Sequence, residues 1–564
     1  MLLLVALRIV NALAVKSFYV PDEYYQSLEP AWQLAFGSNS GAWITWEWRN
    51  QLRSSLHPIL FAGIYRAVSS FSDLCHFSQV ARAALLLAAP RIIQGTFAAG
   101  LDFFTWRLAD SIYGNGSHVA WTTLAVSVLS PWQWFCSTRT LSNCLEASLT
   151  AGALYFWPWH WVLTAPTSGG VRPNQTIGDT VRLQVSLLLA AIASILRPTN
   201  VLIWIPISLQ SLLKASQHHR WSLIVNAIAC GSAVAASTAI CDRLYYGLWT
   251  FPPLRFVHFN IAQSLAIFYG SNRLDYYLTE GVPLLLMTMM PFAILGLYRG
   301  LKLPFSRPSN SAGSSLKEVV PSMLAWASVF TIGSLSLISH KEARFLYPLL
   351  PSLHLFAASP LSHFARRLKS WRVSLAGALF AVNIGIAMYT SRVHQKGVVD
   401  VMTFLRSEHE SKTHSGNTTV AFLMPCHSTP WRSHLIHSTI DAWALTCEPP
   451  INISMEQRST YEDEADIFYH SPTVWLEQNM EQLALINTLD DRSKKWADQE
   501  RNADGRVTGA GRSWPRYLVF FEQLEPQMKE LLKDAPYREC WRGFNTHWHD
   551  DWRRQGDVVV WCMT

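Results

Sequence analysis

The residues best equipped for chemistry lie in two polar islands of a mostly apolar chain. The first is Val20-Pro21-Asp22-Glu23-Tyr24-Tyr25-Gln26, directly after the first apolar segment. The second is His340-Lys341-Glu342-Ala343-Arg344-Phe345-Leu346-Tyr347, set between the apolar runs 321–338 and 345–360. Charged side chains at a bilayer boundary are costly, so an intact cluster there marks a site for a polar substrate or an ion. In the first island a carboxylate, Asp22 or Glu23, can serve as a general base that draws a proton from a sugar hydroxyl. Adjacent residues point about 100° apart on a helix, so only one of the pair faces a substrate. The plainer reading is that Pro21-Asp22-Glu23 opens a helix, where proline and negative charge are both favoured.

In the second island Lys341 and Arg344 suit a lipid phosphate, the arginine by bidentate contact, with Glu342 able to pair with either. The rival is snorkelling of basic side chains from a helix end. The positive-inside rule speaks against it, because the other basic residues gather on the opposite side. Later in the first loop, Trp46, Glu47 and Arg49 offer an aromatic-acidic-basic mixture that can stack on and hydrogen-bond a sugar, while Trp43 and Trp48 read as interfacial anchors. Arg139, in Ser137-Thr138-Arg139-Thr140-Leu141-Ser142-Asn143, and Arg197 are further cations at a membrane edge; Arg139 falls on the cytosolic side and can be purely topogenic. Cys426, His427, His434, His437, His547, His549 and Asp550 can be assembled into a metal site on paper, but no Cys-x-x-Cys or His-Glu-x-x-His spacing supports one, and no metal is expected. Neither a phosphate-cradling glycine loop nor a nucleophile elbow is present in a suitable setting.

The elements that must position these residues are membrane helices. The chain has 564 residues, 50% hydrophobic and only 15% charged, where soluble domains carry about 25%. Its mean hydropathy is positive. The fold class is mainly α, a polytopic bundle of about eleven spans at 1–18, 53–72, 79–99, 118–137, 140–163, 182–212, 221–241, 282–299, 318–339, 345–364 and 373–390. Met1–Val15 is read as a retained span; Ala12-Leu13-Ala14 resembles a signal-peptidase site, but the start lacks a basic n-region. The 182–212 segment is interrupted by Arg197-Pro198-Thr199-Asn200 and can be a kinked helix or two elements. With a cytosolic start, Lys214, Arg220, Arg299, Lys302, Arg307, Lys317, Arg366, Arg367, Lys369 and Arg372 fall in cytosolic loops. The sequons at Asn115, Asn174, Asn417 and Asn452 then fall on the other face, which reads as a glycosylating lumen. The net charge of +7 is met by those loops and needs no nucleic acid.

Residues 1–390 read as the transmembrane domain, with a large first luminal loop at 19–52, and 391–564 as a luminal α/β domain with strands near 419–424, 517–521 and 558–561. Residues 490–513 read as a mobile loop. Cys426, Cys447, Cys540 and Cys562 suggest one or two disulfides in an oxidising lumen, with the pairing open.

Taken together, several stretches resemble the dolichyl-phosphate-mannose-dependent mannosyltransferases of the multispanning GT-C class, family 22. They are residues 21–29, Thr45-Trp46-Glu47-Trp48-Arg49, Arg53-Ser54-Ser55-Leu56-His57-Pro58, residues 138–143, Arg197-Pro198-Thr199-Asn200 and residues 340–348. Met424-Pro425-Cys426-His427-Ser428-Thr429-Pro430-Trp431 is similar to the branch that adds the third mannose in glycosylphosphatidylinositol (GPI) anchor assembly. The resemblance implies an endoplasmic reticulum membrane enzyme with a luminal active site. It would transfer mannose from dolichyl-phosphate mannose to the second mannose of a GPI precursor, in α-1,2 linkage and with inversion, without cofactor or metal. It further implies that Asp22 is the base and that Lys341 and Arg344 stabilise the departing phosphate. Trp46, Glu47, Arg49, His57, Arg139, Arg197, His340 and Glu342 would serve donor and acceptor. Val20 stands where the family usually carries His, and Ala343 where it usually carries an aromatic. The rivals are a sister enzyme acting on the dolichol-linked oligosaccharide of N-glycosylation, and a lipid transporter or scramblase. The latter predicts an internal repeat and paired mid-membrane breaks, for which the sequence offers no support.

Overall fold

The computed structural model describes all residues except 164–172, 260–269, 303–314, 367–369, 412–417, 451–459, 483–510 and 564. Helices α1 (Leu2–Ala14), α2 (Glu29–Phe36), α3 (Trp46–Arg49), α4 (Leu56–Leu74), α5 (Gln79–Tyr113), α6 (His118–Val128), α7 (Pro131–Cys136), α8 (Ser142–Phe156) and α9 (Pro173–Leu196) make the first part of the chain. They are followed by α10 (Val201–Lys214), α11 (Gln217–Tyr246), α12 (Pro252–Val257), α13 (Val282–Leu286), α14 (Met290–Lys302), α15 (Leu316–Ser336), α16 (Leu350–Arg366), α17 (Ser370–Arg392) and α18 (Gly397–Ser411). Among the described residues six segments are long and apolar enough to cross a membrane: Gln79–Tyr113, Gly178–Leu196, Gln217–Tyr246, Tyr277–Lys302, Leu316–Ser336 and Trp371–Arg392. The protein is a multi-pass membrane protein. It divides into two compact units, one of Met1–Leu13, Gln51–His57 and Arg91–Met388, the other of Ala14–Asn50, Pro58–Pro90 and Tyr389–Thr564.

In the first unit the helix directions can be followed from contact to contact. Arg8 of α1 pairs with Asp102 of α5 at 2.6 Å, while a Cβ at Gly95 would meet the Arg8 carbonyl at 3.1 Å and the Ala12 Cβ at 3.5 Å, so α1 and α5 run antiparallel. Ser127 of α6 bonds Asp102, and Gln94 of α5 reaches the carbonyl of Ser137, just past α7, so α6–α7 returns alongside α5. Helices α8 and α9 are antiparallel in turn, with Arg182 on the Tyr155 carbonyl and Ser186 on that of Ala153.

These directions revise the expected spans in two places. Residues 53–72 are not a pass of the bundle: from Pro58 onward α4 belongs to the second unit, where Tyr65 packs 5.1 Å from Trp32 and Arg66 donates to the Leu34 carbonyl at 2.6 Å. That packing buries Phe61, Ala62 and Tyr65 of α4. Residues 182–212 are two helices, because Pro198 holds Arg197 in an extended conformation (φ −143°, ψ 104°) and ends α9. One expected span is lost and one gained, so the loops between them change ends. Arg139, expected with the cytosolic loops, lies at the end of the bundle that carries Arg197 and His340–Arg344. Asn115, between α5 and α6, and Asn174, in the first turn of α9, fall at the opposite end, with Lys214, Arg220, Arg299 and Lys302. Asn115 and Asn174 thus lie away from His340–Arg344 within the first unit; Asn417 and Asn452 lie outside the described residues.

In the second unit a five-stranded sheet has the order β2-β1-β3-β5-β4. Strands β1 (Thr418–Phe422), β2 (Ile440–Ala444) and β3 (Tyr517–Phe521) are parallel; β4 (Tyr537–Thr546) and β5 (Gly556–Met563) add antiparallel strands. The three apolar strands expected from sequence are β1, β3 and β5. Disulfides join Cys426 to Cys447 and Cys540 to Cys562. The expected loop at 490–513 lies largely outside the described residues.

Candidate functional site

The first unit gathers its chemistry at one end of the bundle, in the loop 339–344 and the 3-10 turn Ala343–Leu349 that follows. Arg344 grips Glu342 with both forks of its guanidinium, at 2.7 and 2.6 Å, and His340 reaches the same carboxylate at 3.2 Å. Burial raises the Glu342 carboxyl, but Arg344 first and then His340 outweigh it and hold the group well below the usual carboxylate range. The partner of Glu342 is therefore Arg344 rather than Lys341. Lys341 is buried, its backbone N–H on the Asn272 side chain at 2.8 Å and its Nζ on the Asn272 carbonyl at 3.1 Å.

Two motifs far away in sequence meet this turn. Asn143, in the first turn of α8, donates to the Arg344 carbonyl at 3.5 Å and to Glu146 at 3.4 Å. Glu146 accepts from Asn200 at 3.0 Å, and Asn200 also bonds Thr150 and the Trp204 indole. Arg197 lies over the Phe345 ring at 5.1 Å. Arg139 is held by its own helix end, donating to the Phe135 carbonyl at 2.7 Å above the Phe135 ring. Four nearly buried cations (Arg139, Arg197, Lys341 and Arg344, each no more than 6% exposed) thus share this end with two carboxylates, Glu146 and Glu342. Each of these cations is held by a fixed partner, a carbonyl, a carboxylate or a ring, rather than extended to water as a snorkelling side chain would be. At the same end, Asp242 near the close of α11 accepts from the Ser55 N–H and hydroxyl, each at 2.7 Å, which fixes the segment that carries buried His57.

The second unit holds the first island. Pro21 begins a helical turn whose carbonyl accepts from the Tyr24 and Tyr25 N–H groups, followed by a π-helical turn Tyr24–Leu28 and then α2. Asp22 and Glu23 occupy that first turn, so the helix-opening reading of the pair holds. Glu23 is buried at 3% exposure, whereas Asp22 is partly open. π-helical turns are rare interruptions of regular helices and are frequent at functional sites.

The loop is clamped to the 424–437 segment. Tyr25 donates to the Thr429 carbonyl at 2.9 Å, and the His427 ring sits between those of Tyr25 (4.2 Å) and Trp43 (4.7 Å). Trp43 and Trp48 are 2% exposed and are core residues, not interfacial anchors; the Trp48 indole donates to the Tyr25 carbonyl at 3.0 Å. Glu47 accepts from Gln26 at 2.9 Å, and Arg49, exposed, pairs with Glu448. Trp46 is partly open beside them.

Glu29 is the residue that sequence reasoning passed over. It is fully buried and accepts the N–H groups of Trp43 (3.0 Å) and Ser433 (2.9 Å). Burial raises its carboxyl above the ordinary value, against the pull of those bonds and of Arg432. Glu29→Ala strands both donors, at about 1–3 kcal/mol each. The expected result is earlier thermal unfolding and faster proteolysis within 14–50 in detergent; an unchanged cleavage pattern would contradict this clamp.

Cys426, His427 and Cys447 come together, but the two sulfurs are bonded to each other and offer no thiolate to a metal. Of the other residues considered for a metal, His437 reaches Glu410 at 2.7 Å and His547 reaches Tyr389 at 2.8 Å.

The model of the Alg9-like mannosyltransferase family matches residues 1–436, a stretch that takes in both polar islands and the 424–431 run. The chain is 47% identical over 600 residues to "GPI mannosyltransferase 3" of Aspergillus fumigatus, covering 100% of this chain and 77% of that protein. It is 31% identical to "GPI alpha-1,2-mannosyltransferase 3" of Mus musculus, covering 98% and 87%. Among solved structures it is similar in fold to ArnT from Cupriavidus metallidurans bound to undecaprenyl phosphate, a GT-C membrane glycosyltransferase, with a TM-score of 0.55, 11% identity and coverage of 100% and 97%. A match that spans the cation pocket and the clamped loop alike, carried at full length by such relatives, leaves one assignment: the chain is an enzyme of the Alg9-like mannosyltransferase family.

Proposed function

We propose that the enzyme transfers mannose from dolichyl-phosphate mannose to the second mannose of a GPI precursor, forming an α-1,2 linkage in the lumen of the endoplasmic reticulum. The observation that carries the donor is the gathering of four buried cations, Arg139, Arg197, Lys341 and Arg344, at one end of the bundle. A donor phosphodiester carries one negative charge, and the phosphate that departs gains another as its bond to the sugar breaks. Fixed cations that favour the product side of that change lower the barrier by preorganised electrostatics. The relatives named GPI mannosyltransferase 3 support the acceptor.

Each residue has one task in this reading. Asp22 takes the proton of the acceptor 2-hydroxyl as its oxygen attacks C1 of the donor mannose. The C1–phosphate bond breaks on the opposite face, so a β-linked donor gives an α-linked product. Arg344, oriented by Glu342, and Lys341, oriented by Asn272, receive the growing charge on phosphate, with Arg197 and Arg139 adding to the field. Trp46, Glu47, Arg49 and His57 serve sugar binding. The end of the bundle with Lys214, Arg220, Arg299 and Lys302 faces the cytosol by the positive-inside rule, and the cation pocket faces the lumen.

The test is an acceptor comparison in membranes from cells that lack the endogenous activity, supplied with labelled dolichyl-phosphate mannose. Transfer to a two-mannose GPI precursor is expected. Transfer only to a dolichol-linked oligosaccharide would overturn the acceptor and keep the donor chemistry.

A further inference from the structure

Deep in the first unit lies a polar chain that the transfer reaction does not use. Arg8 and Asp102 are each 0% exposed and joined by two hydrogen bonds, at 2.6 and 3.0 Å. Asp102 accepts from the Ser127 hydroxyl at 2.7 Å, and that hydroxyl accepts from the Gln133 amide at 3.4 Å. The Gln133 carbonyl oxygen, finally, accepts from the Tyr347 hydroxyl at 2.6 Å. Arg8 is steadied by Asn11 at 3.2 Å, which itself donates to the Trp134 carbonyl at 2.9 Å.

The chain runs from α1 through α5, α6 and α7 and ends on one residue of the 3-10 turn Ala343–Leu349. Tyr347 is three residues after Arg344, and three residues make one turn of a 3-10 helix, so the two side chains lie on the same face. A buried ion pair contributes little net stability over apolar packing of equal volume, since its desolvation offsets its attraction. What such a network does supply is a single allowed geometry, because each buried polar member is costly to leave without its partners. A phosphate site needs that definition: donors must be held to within about 0.5 Å to be useful.

We infer that Tyr347 and Gln133 are positioning residues for the donor phosphate, and that the Arg8–Asp102 pair anchors through them the turn bearing Arg344. The inference rests on the reading of the cation pocket as the donor-phosphate site. Loss of the Tyr347 hydroxyl leaves the turn packed but lets it shift, so the donor is held less well while the base and acceptor are untouched.

The experiment measures donor and acceptor KM, kcat and the thermal midpoint of the full-length enzyme in detergent, for Tyr347→Phe, for Tyr347→Phe combined with Gln133→Leu, and for Arg344→Ala. Tyr347→Phe is expected to raise the KM for dolichyl-phosphate mannose about fivefold, the worth of one hydrogen bond, with acceptor KM unchanged. The double variant removes both partners, so it recovers the thermal midpoint while the donor KM stays high. A donor KM that returns to the wild-type value together with the midpoint would overturn the inference, as would a lowered midpoint with an unchanged donor KM in Tyr347→Phe. If Arg344→Ala leaves the donor KM intact, the pocket reading itself fails; if Arg344→Ala raises it and neither Tyr347 variant does, only the positioning role fails.

Discussion

Asp22→Asn lowers mannose transfer by about 10²–10⁴-fold, the range that a single general base contributes, with donor and acceptor KM little changed. The substitution keeps the size and the hydrogen-bonding outline of the side chain and removes only its capacity to take a proton. Asp22 is the open member of an adjacent pair whose other carboxylate, Glu23, is buried, so Glu23→Gln is expected to cost far less in turnover and more in folding. Steady-state rates at matched amounts of folded protein separate the two. Equal losses in both variants, or a loss in Asp22→Asn traced to misfolding, would remove Asp22 from the role of base.

Arg344→Ala removes the cation that two hydrogen bonds aim from Glu342, and a loss of about 10²–10³-fold in turnover is expected for one preorganised donor to developing charge. Arg344→Lys keeps the charge but not the fork, so it recovers part of the loss. The pair also predicts behaviour in acid. Because the folded Glu342 carboxyl sits below its unfolded value of 4.5, its contribution to stability is present above that value and lost as pH falls through the lower, folded one. Glu342→Gln removes that contribution, so on acidification the variant is expected to unfold at a higher pH than the wild type. An unfolding midpoint that does not move would contradict the pairing seen here.

Much of this was visible in the residues, and the remainder was hidden for definite reasons. Charges between apolar runs announced the cluster at His340–Arg344, and the runs of apolar β-formers announced β1, β3 and β5, which are buried on both faces. Strand β4 gave no such signal, because it is an edge strand that turns Arg538 and Glu539 to solvent. Helix α4 is apolar enough to imitate a span, but Tyr65 and Phe61 are apolar for the sake of packing within the second unit. Reading it as a span, and reading α9 and α10 as one, reversed the sides of every loop between them, and so Arg139 and Asn115 were each placed at the wrong end. Glu29, Glu146 and Asp242 passed unnoticed because a lone acid in an apolar stretch has no spacing to betray it. Each is fixed by partners tens to hundreds of positions away, as with Glu29 and Ser433, which are 404 residues apart.

The most direct test of the account gives purified enzyme a two-mannose GPI precursor and either dolichyl-phosphate mannose or a nucleotide-linked mannose, with a chelator present, and determines the anomer of the product. The account predicts transfer from the lipid donor alone, undiminished by the chelator, with the new mannose α-linked. Transfer from the nucleotide sugar, a need for added metal, or a β-linked product would contradict a single displacement driven by a carboxylate base and a pocket of fixed cations.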